Sequence, residues 1–340
     1  MRKRFTALAA CISAGAVLGV IFLGGAGAQS PPPPLTFSNG TTSIHVFPTT
    51  AVAQAAAGFA GGPLSYHGGP VMQTATLYTI YWTPPTLQTG AATSMPSKYK
   101  TIQNNLTSLY AAHGIDNINT QYYQTVGGPT KFIQNVGGSG GSYVDTAAYP
   151  GSVGSPHCHD DYFSGNASFN CINDADLQAE VTKVMGIKGW TPGLNKIFLV
   201  YTSPNEGSCF TNGNDGVCSY NYYCAYHSDF GSATNPTIYT NEPYGVTATC
   251  QNPGQPSPNG HPAGDTASTA ASHEISEAIT DPELNAWFDS AGNENGDLCA
   301  YNYGTNTWDS GKANQSWSGK FFELQQEYSN HTTGCLQVGP

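Results

Sequence analysis

Residues 265–282 read DTASTAASHEISEAITDP. Asp265 is a residue type that caps helix N-termini, and Pro282 cannot continue a helix, so the sequence predicts one helix between them. Apart from a few charged side chains and one His, this stretch is built of Ala, Ser, Thr and Ile, which are more often packed than solvated. We therefore predict a packed helix, and a surface helix with incidental charges is the alternative.

Three side chains of this helix carry the chemistry of a metal site. His273 and Glu277 are four positions apart, so they stand on one helix face, and Glu274 lies about 100° around from His273. In HExxH zinc hydrolases, two side chains at this spacing hold the ion and the intervening glutamate takes a proton from water. Here the second position is a glutamate, which binds zinc at about 2.0–2.2 Å. We predict His273 and Glu277 as metal ligands and Glu274 as the general base.

An acidic loop follows the helix, and residues 289–299 read DSAGNENGDLC. The metal site needs a third ligand, and this loop is the nearest source in the sequence. Its glycines allow tight turns, and Cys299 offers a tether to the rest of the fold. Alternating Asp, Asn and Glu oxygens suit a structural Ca²⁺ site or Asx turns equally well, so that alternative stays open.

The composition is that of a loop-rich extracellular protein. Only 10% of the 340 residues are charged, 11% are aromatic, and 40 are glycine. Coiled coils and basic nucleic-acid binders need denser charge, and the aromatic content is enough for a core. A formal net charge of −11 argues against nucleic acid or an anionic membrane as a partner and favours cations. We expect a monomer.

The N-terminus has the plan of a secretory signal peptide. Basic residues at positions 2–4 precede an apolar run over 5–23, and Ala-Gly-Ala at 26–28 is a small-residue cleavage site. The alternative is an uncleaved membrane anchor, because the apolar run approaches the length of a membrane span. We predict cleavage after Ala28, export from the cell and no attachment of the mature chain to a membrane.

The rest of the chain is divided by composition. Residues 29–62 begin with four prolines, Pro31–Pro34, and continue with an Ala- and Gly-rich stretch, which predicts a linker or a leader segment. The single globular domain is expected to cover 63–340. Whether the leader is a removable propeptide is left open.

Eight cysteines remain after cleavage. An even number in a secreted chain predicts disulfide bonds, and their pairing is open. A structural zinc cage is the weaker alternative because no CxxC pair is present. The eight are Cys158, Cys171, Cys209, Cys218, Cys224, Cys250, Cys299 and Cys335.

Further strands and helices are predicted on both sides of the cysteine-rich region. Residues 74–82 and 196–201 have the pattern of strands, and residues 98–113 and 174–185 carry apolar side chains at helical spacing. The region 208–251 is predicted to be mostly loop held by disulfides. Alternating strands and helices predict an α/β or α+β fold, with a mixed sheet, flanking helices and a zincin-like active-site helix.

Short segments from near Tyr66 to Gln337 resemble, in order and spacing, those of the Exordium family, also called phosphate-induced proteins. These are secreted proteins of plant cell walls with many bacterial relatives. The resemblance implies an extracellular protein of poorly defined activity, linked in plants to growth responses. The matching segments are YHGGPV at 66–71, KIFLVYTSP at 196–204, CAYH at 224–227, HEISEAITDP at 273–282, ENGDLC at 294–299 and LQQEYSN at 324–330.

The same resemblance implies roles for residues outside the helix. By analogy with gluzincins, Glu294 would be the third ligand and Asp297 would support the site from behind a ligand. Asp281 and Asp289 are alternatives for either role. His67 and His227 fall within the matching segments and are candidate substrate-site residues, with a purely structural role as the alternative. The second histidine of gluzincins is absent here.

These observations lead to two hypotheses of different classes. The first is a secreted metal-dependent hydrolase, a zincin-like peptidase using Zn²⁺ and acting on a peptide or cell-wall-associated substrate. The second is a non-enzymatic extracellular binding or signalling protein of the Exordium type, in which the metal, Zn²⁺ or Ca²⁺, is structural. A carbohydrate-active protein is a third possibility, but the sequence assigns no second catalytic acid.

Overall fold

A mixed sheet of seven strands forms the centre of the protein. The computed structural model describes residues 33–55, 61–213 and 215–339. Its strands are β1 (Thr36–Ser38), β2 (Ser43–Pro48), β3 (Ser65–Tyr66), β4 (Ala75–Trp82), β5 (Tyr123–Gln124), β6 (Lys131–Phe132), β7 (Gly137–Asp145), β8 (Cys171–Asn173), β9 (Lys196–Tyr201), β10 (Gly207–Cys209), β11 (Tyr223–Ser232), β12 (Asn235–Glu242), β13 (Trp287–Phe288), β14 (Gln315–Trp317), β15 (Lys320–Phe322), β16 (Glu327–Ser329) and β17 (Gly334–Leu336). Its α-helices are α1 (Thr50–Ala55), α2 (Ser97–Leu109), α3 (Gly114–Asn117), α4 (Asp174–Lys188), α5 (Thr247–Cys250) and α6 (Pro262–Thr280).

The sheet has a parallel half and an antiparallel half. Its strand order is β1-β2-β11-β12-β9-β4-β7. Strands β12, β9, β4 and β7 pair in parallel, whereas β1, β2, β11 and β12 pair antiparallel with their neighbours. The predicted α/β class with a mixed sheet and flanking helices is therefore confirmed.

Both faces of the sheet are covered. Side chains alternate along β9, so Leu199 packs with the residues of α2 and α6 on one face, and Val200 packs with the residues of α4 on the other. Five of the six residues of β9 are buried, as is typical of a strand covered on both faces. The predicted bounds of β9 agree with the structure, and the predicted strand and helices at 74–82, 98–113 and 174–185 appear as β4, α2 and α4 with ends shifted by one to four residues.

Helix α6 is longer than predicted. It begins at Pro262, and the ring nitrogen Nδ1 of His261 accepts a hydrogen bond from the Gly264 N–H at 3.0 Å, so His261 and not Asp265 is the N-cap. Asp265 lies in the first turn and accepts hydrogen bonds from Asn259. The helix is buried from Gly264 to Thr280 because its small side chains let it pack closely against the sheet.

The expectation of a linker over 29–62 is wrong for Thr36–Pro48. Strand β2 inserts between β1 and β11 and is buried over most of its length, so the sheet begins well before residue 63. The described residues form one compact unit. The predicted signal peptide, its cleavage site and the leader positions 29–32 and 56–60 lie outside the described residues.

The expectation of loops over 208–251 is also wrong in part. Strands β11 and β12 form a hairpin at the middle of the sheet. These strands show no alternation of buried and exposed positions, because most of their polar and aromatic side chains are buried.

All eight predicted cysteines are paired in disulfide bonds, so among the described residues none is left to ligate zinc. Among the described residues, no helix has the length and apolar character needed to cross a bilayer. The disulfides are Cys158–Cys171, Cys209–Cys218, Cys224–Cys250 and Cys299–Cys335.

Candidate metal centre

The antiparallel half of the sheet places two histidines side by side. His45 on β2 and His227 on β11 are direct cross-strand partners, so both side chains leave the same face of the sheet. Their ring centroids are 5.8 Å apart. This face is the one against which α6 packs, and the Phe47 N–H of β2 donates a hydrogen bond to Glu274 Oε1 at 3.0 Å.

Helix α6 brings its predicted residues to the same place. Glu277 Oε1 lies 3.0 Å from His273 Nε2, and Glu277 Oε2 lies 3.6 Å from His227 Nδ1 and 4.0 Å from His45 Nε2. The predicted pairing of His273 and Glu277 on one helix face is therefore present. Glu277 also reaches the two histidines of the sheet, so its carboxylate lies at the centre of the group.

The acidic loop closes the group from the C-terminal side. Glu294 Oε1 lies 3.6 Å from His45 Nδ1 and 3.8 Å from His227 Nε2. Asp297 Oδ2 lies 2.7 Å from His45 Nε2 and accepts a hydrogen bond from the Glu294 N–H at 2.7 Å. The intervening Gly296 has no space for a side chain, because a Cβ there would lie 2.6 Å from His273 Nδ1.

These seven side chains form what we call the histidine–carboxylate cluster. Each exposes between 0 and 2% of its surface. Among the described residues, the ion-pair partners of its carboxylates are its own histidines, and the sequence contains no Arg beyond position 4. Buried carboxylates without a cationic partner are costly, so the cluster is suited to a bound cation. Its members are His45, His227, His273, Glu274, Glu277, Glu294 and Asp297.

Two subsets of the cluster have the spacing of metal ligands. His45, Glu277 and Asp297 form one, and His227, Glu277 and Glu294 form the other. Within each subset, one nitrogen or oxygen atom per residue lies within 4.8 Å of the other two. The predicted third ligand Glu294 thus reaches Glu277, but His227 accompanies this pair where His273 was predicted.

Several atoms of the cluster are buried without a hydrogen-bond partner. Such atoms are rare in folded proteins and point to a missing ligand, water or ion. These atoms are consistent with a missing metal ion, because His227, Glu277 and Glu294 each contribute one of them. They are His227 Nε2, Glu277 Oε2 and Glu294 Oε2, together with His273 Nε2 and Asp297 Oδ1.

The hydrogen bonds of the two rings distinguish His227 from His273. Glu274 Oε2 lies 3.1 Å from His227 Nδ1, so the carboxylate keeps the proton on Nδ1 and leaves Nε2 free to bind a metal. Gln325 donates through Nε2 to His273 Nδ1 at 2.9 Å and to the Gly296 carbonyl at 2.9 Å. With Nδ1 accepting, the proton of the neutral His273 ring lies on Nε2, which faces Glu277. The network therefore makes His227 the better ligand.

Burial dominates the protonation of the cluster. It raises the pKa of Glu274, Glu277 and Glu294 well above the usual carboxyl range, and neighbouring carboxylates add to the rise. Burial also lowers the pKa of His227 well below its ordinary value, with further contributions from the other two rings. A divalent cation would displace protons from such groups on binding.

The remaining two rings differ in their charge balance. Burial lowers the pKa of His273 to about 4, although Asp297 opposes this change. At His45 burial acts in the same direction, but the negative charges of Asp297 and Glu277 outweigh it and the pKa is raised.

A cavity of about 210 Å³ adjoins the cluster at Asp297. Thr50 and Gln54 of α1 line one side, and Asn252 and Tyr301 line another. Asp297 is the one cluster member that borders it, and its side chain is fully buried.

The other predicted site residues lie outside the cluster. His67 is exposed and its ring stacks on Phe288 at 3.6 Å, so nothing brings it to the centre. Asp289 accepts hydrogen bonds from the Ala291 and Asn293 N–H groups and shapes the loop, which corresponds to the predicted Asx-turn alternative.

Asp281 lies at the end of α6, close enough to affect the cluster electrostatically. It accepts 2.6 Å hydrogen bonds from the Asn285 and Ala286 N–H groups, and burial raises its pKa to about 7. Its main contacts therefore end the helix and order the chain that follows.

Three residues of this region were missed from the sequence. His45 lies in the segment expected to be a linker, Gln325 orients His273, and Glu327 is buried with both carboxylate oxygens unpartnered. The alternation of SIHVF over 43–47 was the available signal for His45. Gln325 and Glu327 lie within LQQEYSN, whose only signal in the sequence is its resemblance to an Exordium segment.

Comparisons with known proteins give no relative. No protein-family model, curated protein or solved structure matches this chain.

Proposed function

We propose that the protein is an extracellular metal-dependent hydrolase whose ion is held by His227, Glu277 and Glu294. The observation that carries the proposal is that each of these residues has a buried, unpartnered nitrogen or oxygen atom, and that the three residues offer ligand atoms within 4.8 Å of one another. Ligand atoms on a zinc ion of tetrahedral geometry are separated by about 3.4 Å. Glu294 Oε1 lies 3.8 Å from His227 Nε2, the atom that would bind the ion, which is close to that separation, and Glu277 Oε2 lies 3.6 Å from Nδ1 of the same ring.

The ligand types favour Zn²⁺ over Ca²⁺. Calcium takes oxygen ligands almost exclusively, whereas zinc accepts imidazole nitrogen together with carboxylate oxygen. A set of three protein ligands leaves a coordination position for water or substrate, as in catalytic zinc sites. The ion would polarise the scissile carbonyl and make water a stronger nucleophile.

The chain's own residues then divide the remaining work. Both oxygens of Glu274 are engaged, by Phe47 and His227, so we assign Glu274 to orienting His227 in place of the predicted role as general base. Asp297 Oδ2 lies 2.7 Å from His45 Nε2 and accepts the Glu294 N–H, so we assign Asp297 to ordering the 294–297 loop at the site. His273 holds Glu277 from behind.

The class of substrate and the place of action are part of the same proposal. Four disulfides are typical of an exported protein, and the predicted signal peptide has the same implication. A zincin-like helix favours a peptide or a cell-wall-associated substrate. We also propose a relation to the Exordium family, which is supported by the sequence segments quoted above.

The test is chelator-sensitive hydrolysis. Purified mature protein is assayed on casein and on a peptide library, before and after chelation and after addition of Zn²⁺. We expect cleavage that chelation removes and Zn²⁺ restores, and that Glu277→Gln abolishes. Glu283→Gln, six positions after Glu277 and outside the cluster, is the matched control. Cleavage that is unaffected by chelation and by Glu277→Gln would contradict the proposal.

A second candidate is supported by the burial of the cluster. An ion at this place would join β2, β11, α6 and the 294–297 loop, and seven side chains exposed by 2% or less leave substrate little access. The protein would then be a binding or signalling protein with a structural metal. In that case chelation lowers the melting temperature, and no hydrolytic activity appears with any substrate.

A further inference from the structure

We infer that the centre takes two divalent ions, with Glu277 as a bridging ligand. The second ion would be held by His45, Glu277 and Asp297. Of these three residues, only Glu277 would also be a ligand of the first ion. The inference rests on the site proposed above for the first ion, and it adds a ligand set from a strand that carries no recognisable motif.

The geometry places Glu277 between the two sets. Its Oε2 lies 3.6 Å from His227 Nδ1 and 4.0 Å from His45 Nε2, on rings whose centroids are 5.8 Å apart. Two-metal hydrolytic centres have ions about 3.5–4 Å apart, a distance that one carboxylate spans. The cross-strand pairing of His45 with His227 fixes the separation of the two rings, so the spacing is a property of the sheet.

The unpartnered atoms give an independent argument. Glu294 Oε2 and His227 Nε2 belong to the first set, Asp297 Oδ1 belongs to the second, and Glu277 Oε2 is shared. A single ion of tetrahedral geometry takes four ligands including water, so it would leave part of this group unsatisfied in the buried interior.

Charge balance points in the same direction. Glu277, Glu294 and Asp297 are three carboxyl groups in contact with no Lys among the described residues. One divalent ion compensates two negative charges, whereas two ions supply four positive charges, enough for these three carboxylates and for Glu274 beside them.

The two ligand sets are chemically alike. Each combines one imidazole with two carboxylates, which suits Zn²⁺ and Mn²⁺ and disfavours Ca²⁺. His45 is held on its other nitrogen by Thr36 Oγ1 at 2.8 Å, just as His227 is held by Glu274. A held ring is the ordinary arrangement for a histidine that binds metal.

The experiment measures metal stoichiometry on the intact mature protein. Metal-free protein is loaded with Zn²⁺, passed through a desalting column and analysed by elemental mass spectrometry. We expect two ions per chain, one ion in His45→Phe, and two ions in the control His67→Phe, whose exposed ring lies outside the cluster. One ion in the wild-type protein, or equal content in wild type and a folded His45→Phe, overturns the inference.

A second measurement needs no variant, so it stands even where His45→Phe fails to fold. Wild-type protein loaded with Mn²⁺ is examined by electron paramagnetic resonance. Two bridged ions give a spin-coupled spectrum, whereas an uncoupled six-line spectrum at full loading overturns the inference. Hydrolysis is recorded on the same samples. One ion per chain with chelator-sensitive cleavage would contradict only the two-ion inference. Two ions per chain without cleavage would contradict only the proposed hydrolase function.

Discussion

Glu274 Oε2 and His227 Nδ1 lie 3.1 Å apart in the fully buried interface between helix α6 and strand β11. The other oxygen of the same carboxylate accepts the Phe47 N–H of strand β2. One side chain thus joins the helix to two neighbouring strands and fixes the proton of His227 on Nδ1. Glu274 follows His273 in the sequence, but it orients His227, which lies on strand β11.

Replacing Glu274 by Gln distinguishes a positioning role from a general-base role. An amide NH₂ facing His227 would favour the tautomer with the proton on Nε2, which cannot bind metal. We therefore expect Glu274→Gln to weaken Zn²⁺ binding by about 10–100-fold, the usual effect of losing such a partner. Competition with a chromophoric chelator measures the affinity, and Glu283→Gln is the control. A general base would lose turnover with its metal affinity unchanged, and that result would contradict the positioning role.

The two histidines are expected to differ as metal ligands. His227 has a free, unpartnered Nε2, whereas Gln325 directs the proton of His273 to Nε2. We expect His227→Phe to reduce Zn²⁺ affinity by at least about 100-fold, and His273→Phe by about tenfold or less, because the latter loses only support for Glu277. Metal-free melting curves check that both variants fold. A larger loss from His273→Phe would restore it as the ligand.

The helical part of this centre was predictable because its information is local. The spacing of His273 and Glu277 puts both side chains on one face in any helix, and Pro282 limits where the helix ends. The same logic identified the loop with Glu294 as the source of another ligand, because it follows closely in the chain.

The sheet half was not predictable, because it depends on pairing between distant segments. His45 and His227 are 182 positions apart in the numbering, and they meet only through the register of β2 with β11. No motif marks a single histidine in a short strand. The prolines at 31–34 before β2 and the Ala-rich stretch after it also conceal this strand, because they give the whole segment the composition of a linker.

The disulfide Cys299–Cys335 is expected to stabilise both the fold and the metal site. It joins the 3-10 turn Asp297–Cys299, which carries Asp297, to strand β17 across a separation of 36 residues. Loop-closure entropy for this length gives about 3–4 kcal/mol. We expect the double variant Cys299→Ser/Cys335→Ser to lose about that much free energy of unfolding and to bind Zn²⁺ more weakly.

The Cys158–Cys171 disulfide is the matched control, because it closes a separation of only 13 residues and has no member of the cluster in its loop. Its removal should cost less stability and leave Zn²⁺ affinity unchanged. Urea unfolding and zinc competition on both double variants give the comparison. Equal losses of metal affinity would show that the tether of Asp297 is unimportant.

Asp116, which is not a member of the cluster, is expected to make stability depend on pH. Burial raises its pKa from 3.8 to about 7, with only partial relief from a hydrogen bond donated by Asn119. The folded state therefore holds a proton that the unfolded chain releases above about pH 4, so this group's contribution to stability falls as pH rises from about 4 through 7. Between pH 5 and pH 8 we expect a loss of about 1–3 kcal/mol.

Asp116→Asn keeps the shape of the protonated side chain and cannot ionise, so it should remove most of that loss. The variant is expected to match the wild type near pH 5 and to exceed it in free energy of unfolding at pH 8, as measured by urea denaturation at fixed metal content. Other buried carboxyl groups titrate in both proteins, so the difference between them isolates this one. Parallel profiles for wild type and Asp116→Asn would mean that the Asp116 carboxylate is stabilised in its charged form.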